Sequence, residues 1–267
     1  MKLKLKIIII INWLLRITIL LILIEIVHFA ILVNPEIFFE HNINYRRYTI
    51  FSDASITWEV LKTFDEVEER IIATEIFDSL FSPKIFICFS QKPYSFFTFL
   101  LGVNSNSSGV NVSLLENTFI NMNKVGYLKM KYGRKIKHSH LVGELSQIIA
   151  HELIHNLSQK KIGWSAYRIL PRWKREGYAE YGSVISQIGS DKNFEGLFER
   201  SKIYFEEDLF NEPMHSKEYY KFQLLVEYLF KVEKNSFDEF IKNTNSEKSV
   251  FNNFQNWYKR TKNKTIN

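Results

Sequence analysis

A single cysteine occurs in the 267 residues, and it lies in the apolar run Ile85-Phe86-Ile87-Cys88-Phe89. One thiol can build neither a disulfide framework nor a cysteine-rich metal cluster, and its setting suits a small buried hydrophobe. Glycine and proline are scarce, at 10 and 5 residues, and no internal repeat or Pro/Ser-rich linker interrupts the chain. Collagen-like and disordered chains are excluded; 46% hydrophobic and 15% aromatic residues make a globular composition. Charge of one sign is in little excess. The formal charge is +6, and outside the first 35 residues 31 basic side chains oppose 28 acidic ones. That balance gives no reason to expect a nucleic-acid partner. Lys259, Arg260, Lys262 and Lys264 are expected to form a solvated tail.

The N-terminus is unlike the rest. Lys2, Lys4 and Lys6 precede an apolar stretch over 7–33, broken chiefly by Asn12, Arg16, Glu25 and His28. About 20 apolar residues cross a bilayer. The stretch is too long for a signal-peptide core and has no A-x-A-like cleavage site, so 1–35 is expected to be an uncleaved anchor in a lipid bilayer. A buried core helix is the alternative reading. The positive-inside rule applied to Lys2, Lys4, Lys6 and Arg16 gives a single-pass protein with a cytoplasmic N-terminus and its body outside the cytoplasm.

Residues 36–267 read as one domain of α+β class. Strands are expected at 48–52, 84–90 and 110–120, and a helix over 54–80 that ends at Ser82-Pro83. Helical patterns then run over 141–158, 172–188, 216–233 and 236–243, with a last one ending near Arg260. Mixed elements followed by helices alone suggest an α/β lobe (36–140) against a helical lobe (141–267), with a cleft between them.

The chemistry concentrates in Ile148-Ile-Ala-His151-Glu152-Leu-Ile-His155-Asn-Leu157. On a helix His151 and His155 lie one turn apart on one face, so two imidazoles can reach one ion, and Glu152 projects beside them to activate an attacking water. One zinc ion suits this donor set. The flanking apolar residues imply a buried helix on which polar groups need a reason. Pro171-Arg-Trp173-Lys-Arg-Glu176-Gly-Tyr-Ala-Glu180-Tyr181 supplies a third ligand, Glu176, with Glu180 one turn on to orient a ligating histidine. Two histidines and one glutamate leave a coordination position open, as catalytic sites require.

HExxH followed by W-x-x-E-G-x-A-E-Y over Trp173 to Tyr181 resembles the gluzincin zinc peptidases, in particular the peptidase MA-like proteins. The resemblance implies a zincin-like fold, a peptide or protein substrate, His151, His155 and Glu176 on zinc, Glu152 as general base and Glu180 behind His151. It also implies an oxyanion donor on the helix containing Tyr219-Tyr220-Lys-Phe-Gln-Leu, where Tyr220 keeps the family spacing and Tyr219 and His215 compete with it. The counterpart of the substrate-binding strand is Gly109-Val110-Asn111-Val112-Ser113, whose backbone could pair with an extended peptide. Val112 stands where related aminopeptidases carry an amine-binding glutamate, so an endopeptidase is expected rather than an aminopeptidase. His138 and His140 are expected in a solvated basic loop. A non-peptide amide or ester hydrolase would use the same site, and a membrane-anchored binding protein on this fold would not need Glu152.

Overall fold

The computed structural model describes residues 2–125, 145–188, 195–206 and 214–266. The run 84–88 forms the central strand of a five-stranded sheet, and Ile85, Phe86, Ile87 and Cys88 are all fully buried. A strand reaches that state when both faces are covered. The strands are β1 (His41–Tyr45), β2 (Tyr48–Ser52), β3 (Lys84–Cys88), β4 (Gly109–Val112) and β5 (Asn117–Asn121), in the order β1-β2-β3-β5-β4. β2, β3 and β5 are parallel, whereas β1 and β4 are antiparallel edge strands.

Alternation along β3 sorts its side chains to two layers. Ile85 and Ile87 join Ile50 and Ile120 beneath the helices that carry the polar centre. Phe86 and Cys88 face the other way, with Phe39, Tyr94, Phe97 and Phe119. There Phe86 stacks between Phe51 (5.0 Å) and Phe119 (4.8 Å). Burial pushes the Cys88 thiol well up, so this cysteine is the small hydrophobe expected from its setting.

Three expectations need correction. The helix expected over 54–80 is shorter, α2 (Trp58–Ile72); Ile76 and Phe81 beyond it continue the apolar spacing because they fill the same core from irregular backbone. The single strand expected over 110–120 is a hairpin, because Ser113–Leu115 form a 3₁₀ turn and Glu116 has a left-handed backbone (φ 52°) that reverses the chain. The basic C-terminus has Lys259, Arg260 and Lys264 exposed to solvent as expected but is helical rather than a tail: it ends α10 (Glu247–Ile266), and Lys262 pairs with Glu206 at 2.5 Å. Polar, mostly exposed β1 and the aromatic helix α3 (Gln91–Leu100) carried no periodic signal.

α1 (Lys2–Val33) contains a window, Ile11–Val33, long and apolar enough to cross a membrane, and none of that window is buried. Its last turns touch the body: His28 Nε2 lies 2.9 Å from the Leu100 carbonyl at the end of α3, and Asn117 donates to the Leu32 carbonyl. Behind the sheet lie α4 (Leu145–Ile162), the short α5 (Trp164–Ile169), α6 (Arg172–Ile188), α7 (Glu195–Glu206), α8 (Met214–Lys231) and α9 (Phe237–Lys242). The fold is therefore α+β, with a mixed sheet and mostly helical content. α4 is buried on nearly every side, and its Asn156 donates to Thr118 of β5 at 3.2 Å, tying the helix to the sheet.

Candidate metal centre

α4 carries His151 and His155 one turn apart, and α6 crosses it closely enough to bring Glu176 and Glu180 to the same place. Gly182 permits that approach, since a Cβ there would stand 2.8 Å from Cδ1 of Ile154 on α4. The three donor pairs are nearly equidistant. His151 Nε2 and His155 Nε2 are 3.0 Å apart, and Oε2 of Glu176 lies 3.6 Å from the first and 3.4 Å from the second. Four ligands at about 2.05 Å in a tetrahedron have edges of roughly 3.3 Å, so this triangle is the size that a small metal ion requires.

The outer nitrogens are already engaged. His151 Nδ1 donates to Glu180 Oε1 at 3.2 Å, and His155 Nδ1 lies 2.5 Å from the Tyr167 hydroxyl. A carboxylate can only accept, so a neutral His151 would carry its proton on Nδ1 and turn its Nε2 lone pair inward, where a metal ion would take the place of a second proton. The triangle thus gathers two imidazole nitrogens and a carboxylate oxygen, and it draws positive charge. Burial opposes protonation of His151, yet the Glu180 and Glu176 carboxylates outweigh it and hold the imidazole well above its ordinary value. Burial likewise opposes ionisation of Glu176, but His155 and His151 hold its carboxyl well below the usual range. The residues fit a cation on the chemistry of the donor set: His151, His155 and Glu176 could hold one metal ion.

Glu152 is not part of the triangle. It projects from α4 towards the edge strand β4, where Asn111 Nδ2 donates to its Oε2 at 3.0 Å. The Asn111 amide is oriented in turn by the Ser113 hydroxyl, which donates to Asn111 Oδ1. Gly109 leaves room for this arrangement: a Cβ there would meet Cγ of Glu152 at 2.8 Å and Oε1 at 2.9 Å. Gly109, Val110 and Asn111 lie on an edge strand of the sheet, with Gly109 and Asn111 against Glu152 and Val110 packed on the opposite layer. Asn111 and Gly109 also shape the carboxylate, a role that spacing alone did not reveal.

Tyr220 stands elsewhere. Its hydroxyl donates to the Arg200 carbonyl on α7 at 3.1 Å, and its ring packs near Tyr204, so the family spacing points to a side chain of the helical core. Tyr219 is the tyrosine on the site's side of α8, with its ring centroid 6.4 Å from that of His151 and the Arg172 guanidinium over its ring. Burial and the Glu176 carboxylate raise its phenol, so it stays a neutral donor. His138, His140 and the His215 side chain lie outside the described residues. Tyr167 was missed altogether: it sits on the short α5 after Gly163 (φ 86°), and the need of His155 Nδ1 for a partner was the signal that could have prompted a search for it.

No protein-family model matches the chain, and no curated protein is significantly similar to it.

Proposed function

We propose that the protein is a membrane-anchored zinc peptidase of gluzincin type. The observation that carries this reading is the junction of two unlike features: a triangle of inward-facing donors, and a separate carboxylate, Glu152, held beside it at a sheet edge. A scaffold or a purely structural metal site has no use for the second feature.

His151, His155 and Glu176 would hold the ion, and the ion would supply Lewis acidity to a carbonyl and a water at the open position. Glu180 and Tyr167 would fix the two imidazole rings by engaging Nδ1. Glu152 would accept a proton from the attacking water and return it to the leaving amine, and the Asn111 amide would keep it aimed. Tyr219 is the better candidate for steadying the oxyanion. β4 is an edge strand beside these groups whose outer side pairs with no strand among the described residues, the form that receives an extended peptide by strand addition, and this favours a peptide over a small amide or ester. The absence of a carboxylate at Val112 supports internal cleavage over removal of N-terminal residues. Residues 7–33 would sit in the bilayer with the N-terminus cytoplasmic and the domain on the opposite side.

The test is made on the purified full chain in detergent: metal content by mass spectrometry, then cleavage of a peptide library by wild type and Glu152→Gln. One zinc per chain with cleavage lost in the variant is the expected result. Equal cleavage by both proteins would overturn the reading.

A further inference from the structure

A cavity of about 330 Å³ adjoins the centre on the His155 side, between the hairpin turn after β4 and the short helix α5. Its charged walls beyond His155 and Glu176 are two guanidinium groups, Arg168 and Arg175, and Val112, Leu114 and Gln159 also line it. Among the described residues neither arginine has a carboxylate partner. Each is braced on a ring instead: Arg168 lies 4.6 Å from the centroid of Trp164, and Arg175 5.8 Å from that of Tyr167. The Arg175 Nε is buried and finds no acceptor among the described residues. A buried guanidinium N–H without a partner is costly, and ring-stacking leaves the planar donor edge of an arginine free. Glu176 turns its Oε2 to the two histidines, and no ion pair joins it to either arginine.

We propose that Arg168 and Arg175 form a carboxylate-binding subsite, which makes the protein selective for substrates carrying an acidic group close to the bond that is cut. Planar donors match a carboxylate, which can accept from both arginines, whereas an ammonium group would meet two like charges there. The subsite sits where the free edge of β4 ends, at Val112 and the following turn, so an extended chain laid along that edge delivers its side chains to it. The carboxylate can come from an aspartate or glutamate side chain or from a peptide's own C-terminus. This inference rests on the peptidase reading for its substrate, but the subsite itself is tested by binding.

The probe is a set of fluorescein-labelled, N-acetylated pentapeptide amides with glutamate or glutamine at each position in turn, plus one free-acid member. They are titrated against the zinc-loaded full chain carrying Glu152→Gln. The expected result is a gain of about tenfold or more in affinity for glutamate over glutamine at one position, or for the free acid over the amide, as a charge-assisted bond gives. Those two arms separate a side-chain carboxylate from a terminal one. Arg175→Gln and Arg168→Gln should each reduce the gain to less than about threefold, and Arg175→Lys should keep part of it. Arg168 is exposed, so its variant reports even if Arg175→Gln does not fold. No gain for any acidic peptide, or a gain that survives both glutamine variants, overturns the subsite. Wild-type protein that cleaves peptides without acidic preference overturns it too and leaves the peptidase reading intact. A gain with no cleavage of any peptide by the wild type leaves the subsite standing and removes the peptidase.

Discussion

The Asn111 side-chain amide donates to Glu152 across 3.0 Å, joining the edge strand of the sheet to the helix that carries both histidines. The two residues are 41 positions apart in the chain, and the bond gives Glu152 one fixed direction. A general base works through such aim as much as through its basicity.

Removing the base and removing its support should therefore differ in degree and not in kind. Glu152→Gln should retain zinc and fold, and should lose roughly 10²–10⁴-fold in turnover. Asn111→Ala should also retain zinc and cost less, about tenfold, because the carboxylate remains but is less well held. Metal content and turnover measured on the same preparations decide the matter. Loss of zinc from Asn111→Ala would mean that the asparagine supports the metal triangle instead.

Gly109→Ala gives a sharper version of the same argument. The added methyl would collide with Cγ and Oε1 of Glu152, and the carboxylate end can swing away more readily than the strand can move. Zinc content should stay at the wild-type level, turnover should fall at least tenfold or so, and unfolding free energy should fall by about 1–3 kcal/mol. Wild-type turnover in Gly109→Ala would show that Glu152 need not occupy the position seen here.

Much of this centre was legible in the sequence because helical spacing is a local rule. His151, Glu152 and His155 are placed relative to one another by one turn of α4, and Glu176 and Glu180 by one turn of α6. What a local rule does not give is the crossing of the two helices, which depends on Gly182 fitting against Ile154. Nor does it give Tyr167, which reaches His155 through a short helix set by the positive φ of Gly163. The sheet divides the same way. β2 and β3 read as strands because their residues alternate or run apolar, while β1 is polar and defined by pairing with β2 alone. Tyr219 and Tyr220 were not told apart for a similar reason: adjacent helical positions differ by about 100° in direction, and family spacing does not fix which of two neighbouring tyrosines faces the site.

Supporting and coordinating residues should separate by the size of their effect on metal. Glu176→Ala should abolish stoichiometric zinc, since two remaining ligands hold the ion poorly. Glu180→Gln and Tyr167→Phe remove partners of Nδ1 and should weaken zinc binding by roughly 10–100-fold without abolishing it. Competition with a chelator of known affinity reads both ranges. Full occupancy in Glu176→Ala would transfer the third-ligand role to Glu180.

The end of α1 is also part of the body. Ile31 and Leu32 pack on the cluster of Phe39, Phe86, Phe97 and Phe119, and Asn117 holds the Leu32 carbonyl. A chain beginning at residue 27 should therefore be more stable than one beginning at 36, which leaves that aromatic cluster uncovered on one side. Burying two such aliphatic side chains in part is worth about 1–3 kcal/mol. Denaturant unfolding of the two shortened chains in detergent measures the difference, and equal midpoints would mean that the contact adds nothing to the domain.

The two tyrosines of α8 give the clearest separation of site from scaffold. Tyr219 lies against His151 and Arg172, and burial keeps its phenol neutral and able to donate; Tyr220 spends its hydroxyl on the Arg200 carbonyl in the helical core. Tyr219→Phe should lower kcat by about 10–10³-fold with little change in KM, because a donor to the developing oxyanion is felt mainly in the transition state. Its stability should stay near wild type. Tyr220→Phe should show the reverse pattern: turnover within about twofold of wild type, and a stability loss of roughly 1 kcal/mol from one buried hydrogen bond. Steady-state kinetics and denaturant unfolding on both variants separate the roles. If Tyr220→Phe proves the catalytically impaired variant, α8 must turn or shift on binding substrate, because in this structure that hydroxyl faces α7.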